Sequence, residues 1–171
     1  MKSKIIFTLA LFSSLLSLQL AAYPVNHGGA ECSATSSYSD ELIKSAGRLL
    51  NNSTTRWAYV TCPVPKDEFS DWALTAAIES AWVRVMDRTP LRRVSCSLTA
   101  LAIDEHGGWH SQTRSDATTD PDAGTHIRTL NFSWVRQASY DQIAQYYVTC
   151  SIPPRDPSLG ASGIVDYRIN Q

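Results

Sequence analysis

Apolar and polar residues alternate along most of the chain from Arg56 onward. Trp57, Tyr59 and Thr61 fall on one parity and Ala58, Val60, Cys62 and Val64 on the other, a pattern rich in aromatic and branched side chains that predicts a strand. Pro63, Pro65 and Lys66-Asp67-Glu68 end it and supply a turn. Phe69 to Met86 reads two ways, because Trp72, Leu74, Ala76 and Ile78 alternate while Ala76-Ala77 and Glu79 also suit a helix. Its second half, Ala81 to Met86, reads as a strand. The Asp87-Arg88-Thr89-Pro90 turn then leads to a further strand from Arg93 to Ile103, so the pair predicts a hairpin. Asp104-Glu105-His106-Gly107-Gly108 is the strongest turn signal, followed by a polar strand from Trp109 to Ser115 and an acidic loop from Asp116 to Gly124. His126 to Val135 alternates as a half-buried strand, Gln142 to Ile152 is another ended by Pro153-Pro154, and Ile164 to Ile169 closes the chain. These runs amount to about seven strands with turn chemistry between them and no βαβ alternation. The expected fold is an all-β antiparallel sandwich, with a ferredoxin-like α+β arrangement carrying one helix near 69–79 as the alternative.

Upstream the pattern changes. Lys2 and Lys4 precede an apolar run from Ile5 to Leu20, and small residues follow at Ala21 and Ala22, the order of a cleavable secretory signal over residues 1–22. Cleavage after Ala22 fits best, and Gly28-Gly29-Ala30 offers a second site. The serines and Gln19 within the run argue against a retained anchor, so no membrane span is expected once the signal is gone. What remains, residues 23–171, is long enough for one domain with its own core. Tyr23 to about Ser39 reads as an extended polar leader. Ser39-Asp40-Glu41 before Leu42, Ile43, Ala46, Leu49 and Leu50 has the spacing and capping of a short helix, and the same residues also fit a strand running to an Asn51-Asn52 turn.

Loss of Lys2 and Lys4 takes the formal charge from −1 to −3. A mildly acidic chain lacks the concentrated positive field that nucleic acid demands, and nucleic acid is excluded as a partner on that ground. All four cysteines, Cys32, Cys62, Cys96 and Cys150, lie after the signal and form an even set, which predicts two disulfides in a secreted or periplasmic protein. Three pairings are open and spacing does not choose among them. Val94-Ser95-Cys96-Ser97-Leu98 and Val148-Thr149-Cys150-Ser151-Ile152 look like twin strands, and the expectation adopted is Cys96 with Cys150 and Cys32 with Cys62. Paired C-x-x-C spacings, which zinc sites use, are missing.

Reactive groups are densest at Asp104-Glu105-His106-Gly107-Gly108-Trp109-His110, where His106, His110 and a carboxylate have the chemistry of a zinc site. The paired glycines oppose the helix that would align those histidines, and a solvated turn with a surface tryptophan is the plainer reading. Asp116, Asp120 and Asp122 offer oxygens to calcium, without the full loop pattern of a calcium-binding hand. Trp109, with polar His110 and Arg114 nearby, is the best candidate among five tryptophans for contact with a sugar or another ring. Arg84, Arg88, Arg92 and Arg93 surround one turn as a possible anion site diluted by Asp87. No cofactor is expected, and no G-x-S-x-G, H-E-x-x-H, P-loop or Rossmann signature occurs.

The order Asn51-Asn52-Ser53, Val60-Thr61-Cys62-Pro63, Val94-Ser95-Cys96-Ser97-Leu98, Cys150-Ser151-Ile152-Pro153 and Ile164-Val165-Asp166-Tyr167-Arg168-Ile169 resembles small exported bacterial four-cysteine β-domain proteins of unassigned function. The likeness covers most of the chain after the signal and rests on cysteine-strand patterns, so it carries over no functional residue. It implies a bacterial, exported, disulfide-bonded β-domain. The leading expectation is therefore a non-enzymatic binding or structural module of the cell envelope or extracellular space. The stretches Ile164 to Gln171 and Tyr23 to Ser39 read as free chain ends able to add a strand to a partner or a second copy. Rival expectations are a metal-dependent hydrolase using His106 and His110, and an inhibitor that plugs a foreign enzyme with the loop from Asp116 to Gly124.

Overall fold

Alternation leaves each strand with one face that must escape water, and two such sheets satisfy each other by packing face to face. A computed structural model of the chain describes residues 25–35, 39–64, 78–90, 92–104, 106–118, 127–135 and 145–170. The strands, in chain order, are β1 (Val25–Gly28), β2 (Ser33–Ala34), β3 (Leu42–Ser45), β4 (Arg48–Asn51), β5 (Ala58–Pro63), β6 (Ile78–Met86), β7 (Ser95–Ile103), β8 (Trp109–Ala117), β9 (Ile127–Val135), β10 (Gln145–Ile152) and β11 (Gly163–Asn170). Two short 3-10 turns, Gly29–Glu31 and Ser39–Glu41, are the only helical elements among the described residues. The first sheet runs β3-β4-β11-β6-β9, with β1 also on β11, and the second runs β2-β5-β10-β7-β8. Every pairing is antiparallel. The all-β sandwich expected from the pattern is the fold observed. A helix near 69–79 falls mostly on residues outside those described, and Ile78 already belongs to β6.

One core fills the space between the sheets. Val83, Val85, Leu130, Phe132 and Ile164 from the first sheet meet Val60, Leu98, Val148 and Ile152 from the second, all of them buried. Tyr167 is fully buried, yet its hydroxyl crosses to the other sheet and donates to the Pro63 carbonyl at 2.7 Å. The His27 ring stacks on it with centroids 5.0 Å apart. Burial, reinforced by the nearby Glu31 charge, pushes this phenol above its ordinary range. The disulfides are Cys32–Cys62 and Cys96–Cys150, the pairing expected. Cys96 and Cys150 are direct partners in the β7–β10 register, so that bridge joins neighbouring strands, whereas Cys32–Cys62 ties the approach to β2 onto β5.

Three sequence expectations change. The hairpin expected of the strands on either side of the Asp87-Arg88-Thr89-Pro90 turn is instead a crossing between sheets, since β6 pairs with β11 and β9 while β7 pairs with β10 and β8. The helix weighed over 42–50 is the β3–β4 hairpin, whose Ala46-Gly47 turn takes positive φ at both residues, 50° and 76°. Two such residues match the right-handed twist of the flanking strands, and glycine pays no steric penalty there. The chain ends are also not free. β11 lies between β6 on one side and β4 and β1 on the other, and the leader contributes β1 to that same edge. A methyl group at Gly163 would run into the Leu49 carbonyl, which is how closely β4 approaches.

One buried and one half-buried polar side chain lock the loops. Asn51, 1% exposed, donates from Nδ2 to the carbonyls of Arg56, Ile152 and Pro153 at 2.9, 3.1 and 3.0 Å and accepts the Ser53 N–H at 3.0 Å. Asp87 accepts the N–H and hydroxyl of Thr89, the Val94 N–H and the Thr118 hydroxyl, so it fixes the β6–β7 connection against the end of β8.

Candidate binding face

The alternation that buries Val60, Leu98, Val148 and their neighbours turns the intervening residues of the second sheet outward. Register then aligns those residues across all five strands. One row reads Ser33, Thr61, Thr149, Ser97, Ser115, a hydroxyl on each strand from β2 to β8. The row on one side is Tyr59, Ser151, Ser95 and Ala117, and the row on the other is Pro63, Tyr147, Thr99 and Thr113, of which Thr99 is buried. Facing hydroxyls meet along the rows: Ser95 and Ser151 Oγ are 2.7 Å apart, Ser97 and Ser115 Oγ 2.8 Å, and Thr99 and Thr113 Oγ1 3.1 Å. The backbone positions that carry them are spaced by about 4.8 Å across the strands and about 6.7 Å along them.

This outward face carries no Asp, Glu, Lys, Arg or His among its described residues. An ordinary solvated surface devotes roughly a quarter to a third of its positions to charge. The opposite face of the molecule shows that charge is not simply scarce. There Arg84 makes a two-pronged pair with Asp166, with Nε 2.6 Å from Oδ1, and its guanidinium lies 5.1 Å from the Trp82 ring centroid. Arg168 Nε donates to Asn170 at 3.1 Å beside them. Tyr59, 54% exposed, and Trp109, 67% exposed, add aromatic surface to the uncharged face, with Trp109 at its far corner opposite Ile103.

The candidates named from sequence separate. Asp104 Oδ2 accepts from His110 Nε2 at 2.8 Å, and Oδ1 accepts the N–H groups of His106 and Gly108 at 2.9 and 2.7 Å. The His110 hydrogen bond, and next the Gly108 N–H, hold this carboxyl below the usual carboxylate range. The cluster therefore closes the β7–β8 turn. His106 sits on the exposed turn, and no group of three metal-ligating side chains occurs among the described residues. Arg114 is exposed on β8, opposite Leu98. Asp116 accepts the Ala117 N–H at 2.8 Å and the Asn131 N–H at 2.9 Å, which clips the edge of β9 to β8 and closes that side of the sandwich. Asp120 and Asp122 lie outside the described residues. Of the four arginines around the β6–β7 turn, Arg88 turns inward, and its Nη1 donates to the Leu159 carbonyl at 3.1 Å.

Sequence reasoning weighed the histidines and aspartates and passed over the hydroxyls. Ser95-x-Ser97-x-Thr99, Ser111-x-Thr113-x-Ser115 and Thr149-x-Ser151 were visible on the polar parity of three strands. Only register reveals that they form continuous rows. Comparison with protein-family models and with curated proteins yields no match.

Proposed function

We propose that this chain is an exported, non-enzymatic binding module of the cell envelope or extracellular space, and that the outward face of the second sheet is its contact surface. The observation that carries this reading is the charge-free array of hydroxyl rows across five strands. Charged side chains on a sheet face resist close approach by another surface, because their hydration must be stripped away, and the described residues of this face include none. Further support comes from the ionisable groups that sequence had suggested for chemistry. Asp104, His110 and Asp116 spend their hydrogen bonds on holding turns and strand edges. Two disulfides suit an oxidising compartment, in keeping with the signal-like N-terminus.

The test places Lys at two adjoining positions of the central row, Thr61→Lys with Thr149→Lys. Protein expressed with its own leader is followed between soluble medium and the insoluble envelope or extracellular fraction. The parent is expected to sediment with the insoluble fraction and the variant to stay soluble at an unchanged melting temperature. Equal partition of the two would remove this face as the contact surface. Intact mass of the exported parent is expected to lack residues 1–22 and to be four hydrogens lighter than the fully reduced chain.

A further inference from the structure

The geometry points to a neutral polysaccharide chain as the occupant of this face, an inference that rests on the binding reading above. The central hydroxyl row runs between two aromatic rings, Tyr59 on β5 and Tyr147 on β10, which stand four residues apart in register on adjacent strands. That offset sets the two rings about 13 Å apart along the strand direction, one on each side of the row. The row itself spans about 19 Å across five strands, room for several sugar rings in file. The floor consists of Ser and Thr hydroxyls, each able both to donate and to accept. Sugar hydroxyls have the same dual character, so every contact is satisfied in either direction. The tyrosine rings supply the flat apolar surface that the C–H face of a sugar ring covers, with a polar tip left for its edge.

Other occupants fit less well. Phosphate backbones, anionic headgroups and acidic glycans need cations, and none stands among the described residues of this face. A rigid flat lattice needs a flat partner, whereas strands of a sheet rotate by roughly 20–25° from one to the next, so over five strands the rows turn through most of a right angle. A single flexible polysaccharide follows that turn. A second copy of this chain would bring an identical uncharged, hydroxylated surface, with little apolar area to drive the dehydration.

Native gels cast with amorphous cellulose, amylose, a β-1,3-glucan, a mannan or soluble chitosaccharide, and with alginate as the acidic control, test the inference on the disulfide-bonded protein. Retardation by at least one of the neutral polymers and none by alginate is expected. Tyr59→Ala, and separately Thr149→Lys, should each weaken that retardation tenfold or more, with circular dichroism and melting temperature matching the parent. Two results overturn the inference: no retardation by any of the neutral polymers, or retardation that both variants retain. Light scattering separates the remaining case, since concentration-dependent self-association abolished by Thr149→Lys makes a second copy the occupant and rejects the glycan. The wider binding reading survives any of these failures if the parent still sediments with the insoluble fraction and the Lys variant does not.

Discussion

Asn51 gathers backbone from three directions, since the carbonyls of Arg56, Ile152 and Pro153 all face its amide nitrogen. Truncation to Ala strands these acceptors where water does not reach, and the expected cost is about 2–4 kcal/mol in urea unfolding. Asn52→Ala, at an exposed position whose side chain meets Arg155, is the matched control, with a change within about 0.5 kcal/mol. Asp104 works on charge. Its carboxyl is held below the ordinary value of 3.8 by His110 and two backbone N–H groups, so the native state favours the ionised form. A depressed folded-state value means that the contribution is complete above the unfolded value and fades as pH falls through the folded one. Carboxyl NMR titration should therefore place the Asp104 midpoint below 3.8, and Asp104→Asn should flatten the acid limb of the stability profile in that window. None of these hub roles was legible in the sequence. Asn51 and Asp87 read as turn residues, and their partners lie as far as 102 residues away in the chain for Asn51.

Strands were the most legible level. Alternation placed β5, β7 and β9 to β11 to within a few residues through their period-two buried positions, while β8, which buries none of its residues, was placed by the turn signal before it. The β3–β4 hairpin was ambiguous for a physical reason: Leu42, Ile43, Leu49 and Leu50 satisfy a helical stripe as well as two short strands, and the turn uses Ala46-Gly47 where Asn-Gly would have announced itself. Disulfide pairing followed from the likeness of the segments around Cys96 and Cys150, which do lie side by side. The two bridges close separate stretches, with sequence separations of 30 and 54, so each restricts a different part of the unfolded chain. Replacing either pair by Ala should cost roughly 3–4 kcal/mol, and the two losses should add nearly linearly in chemical denaturation. Loss of only one effect, with the other silent, would mean that the silent bridge constrains nothing in the unfolded ensemble.

At the scale of the molecule, the two broad faces of the sandwich differ in kind. The first sheet presents Arg84, Asp166 and Arg168 around Trp82, while the second presents rows of hydroxyls with aromatic rings among them and no charged side chain among its described outward residues. The candidate face was illegible beforehand because serine and threonine on alternate positions are ordinary strand residues. Their meaning arises from which strands neighbour which, a property of topology.

That topology also dictates when the protein can finish folding. Among the described residues of the first sheet, the strand pairing of β1 and of the β3–β4 hairpin with the rest runs through β11, and β6–β9 meets them across the same strand. Synthesised from its amino end, the polypeptide holds three unpaired fragments of that sheet until β11 arrives. β11 is the keystone, and a chain stopped before Gly163 would leave the arch in pieces.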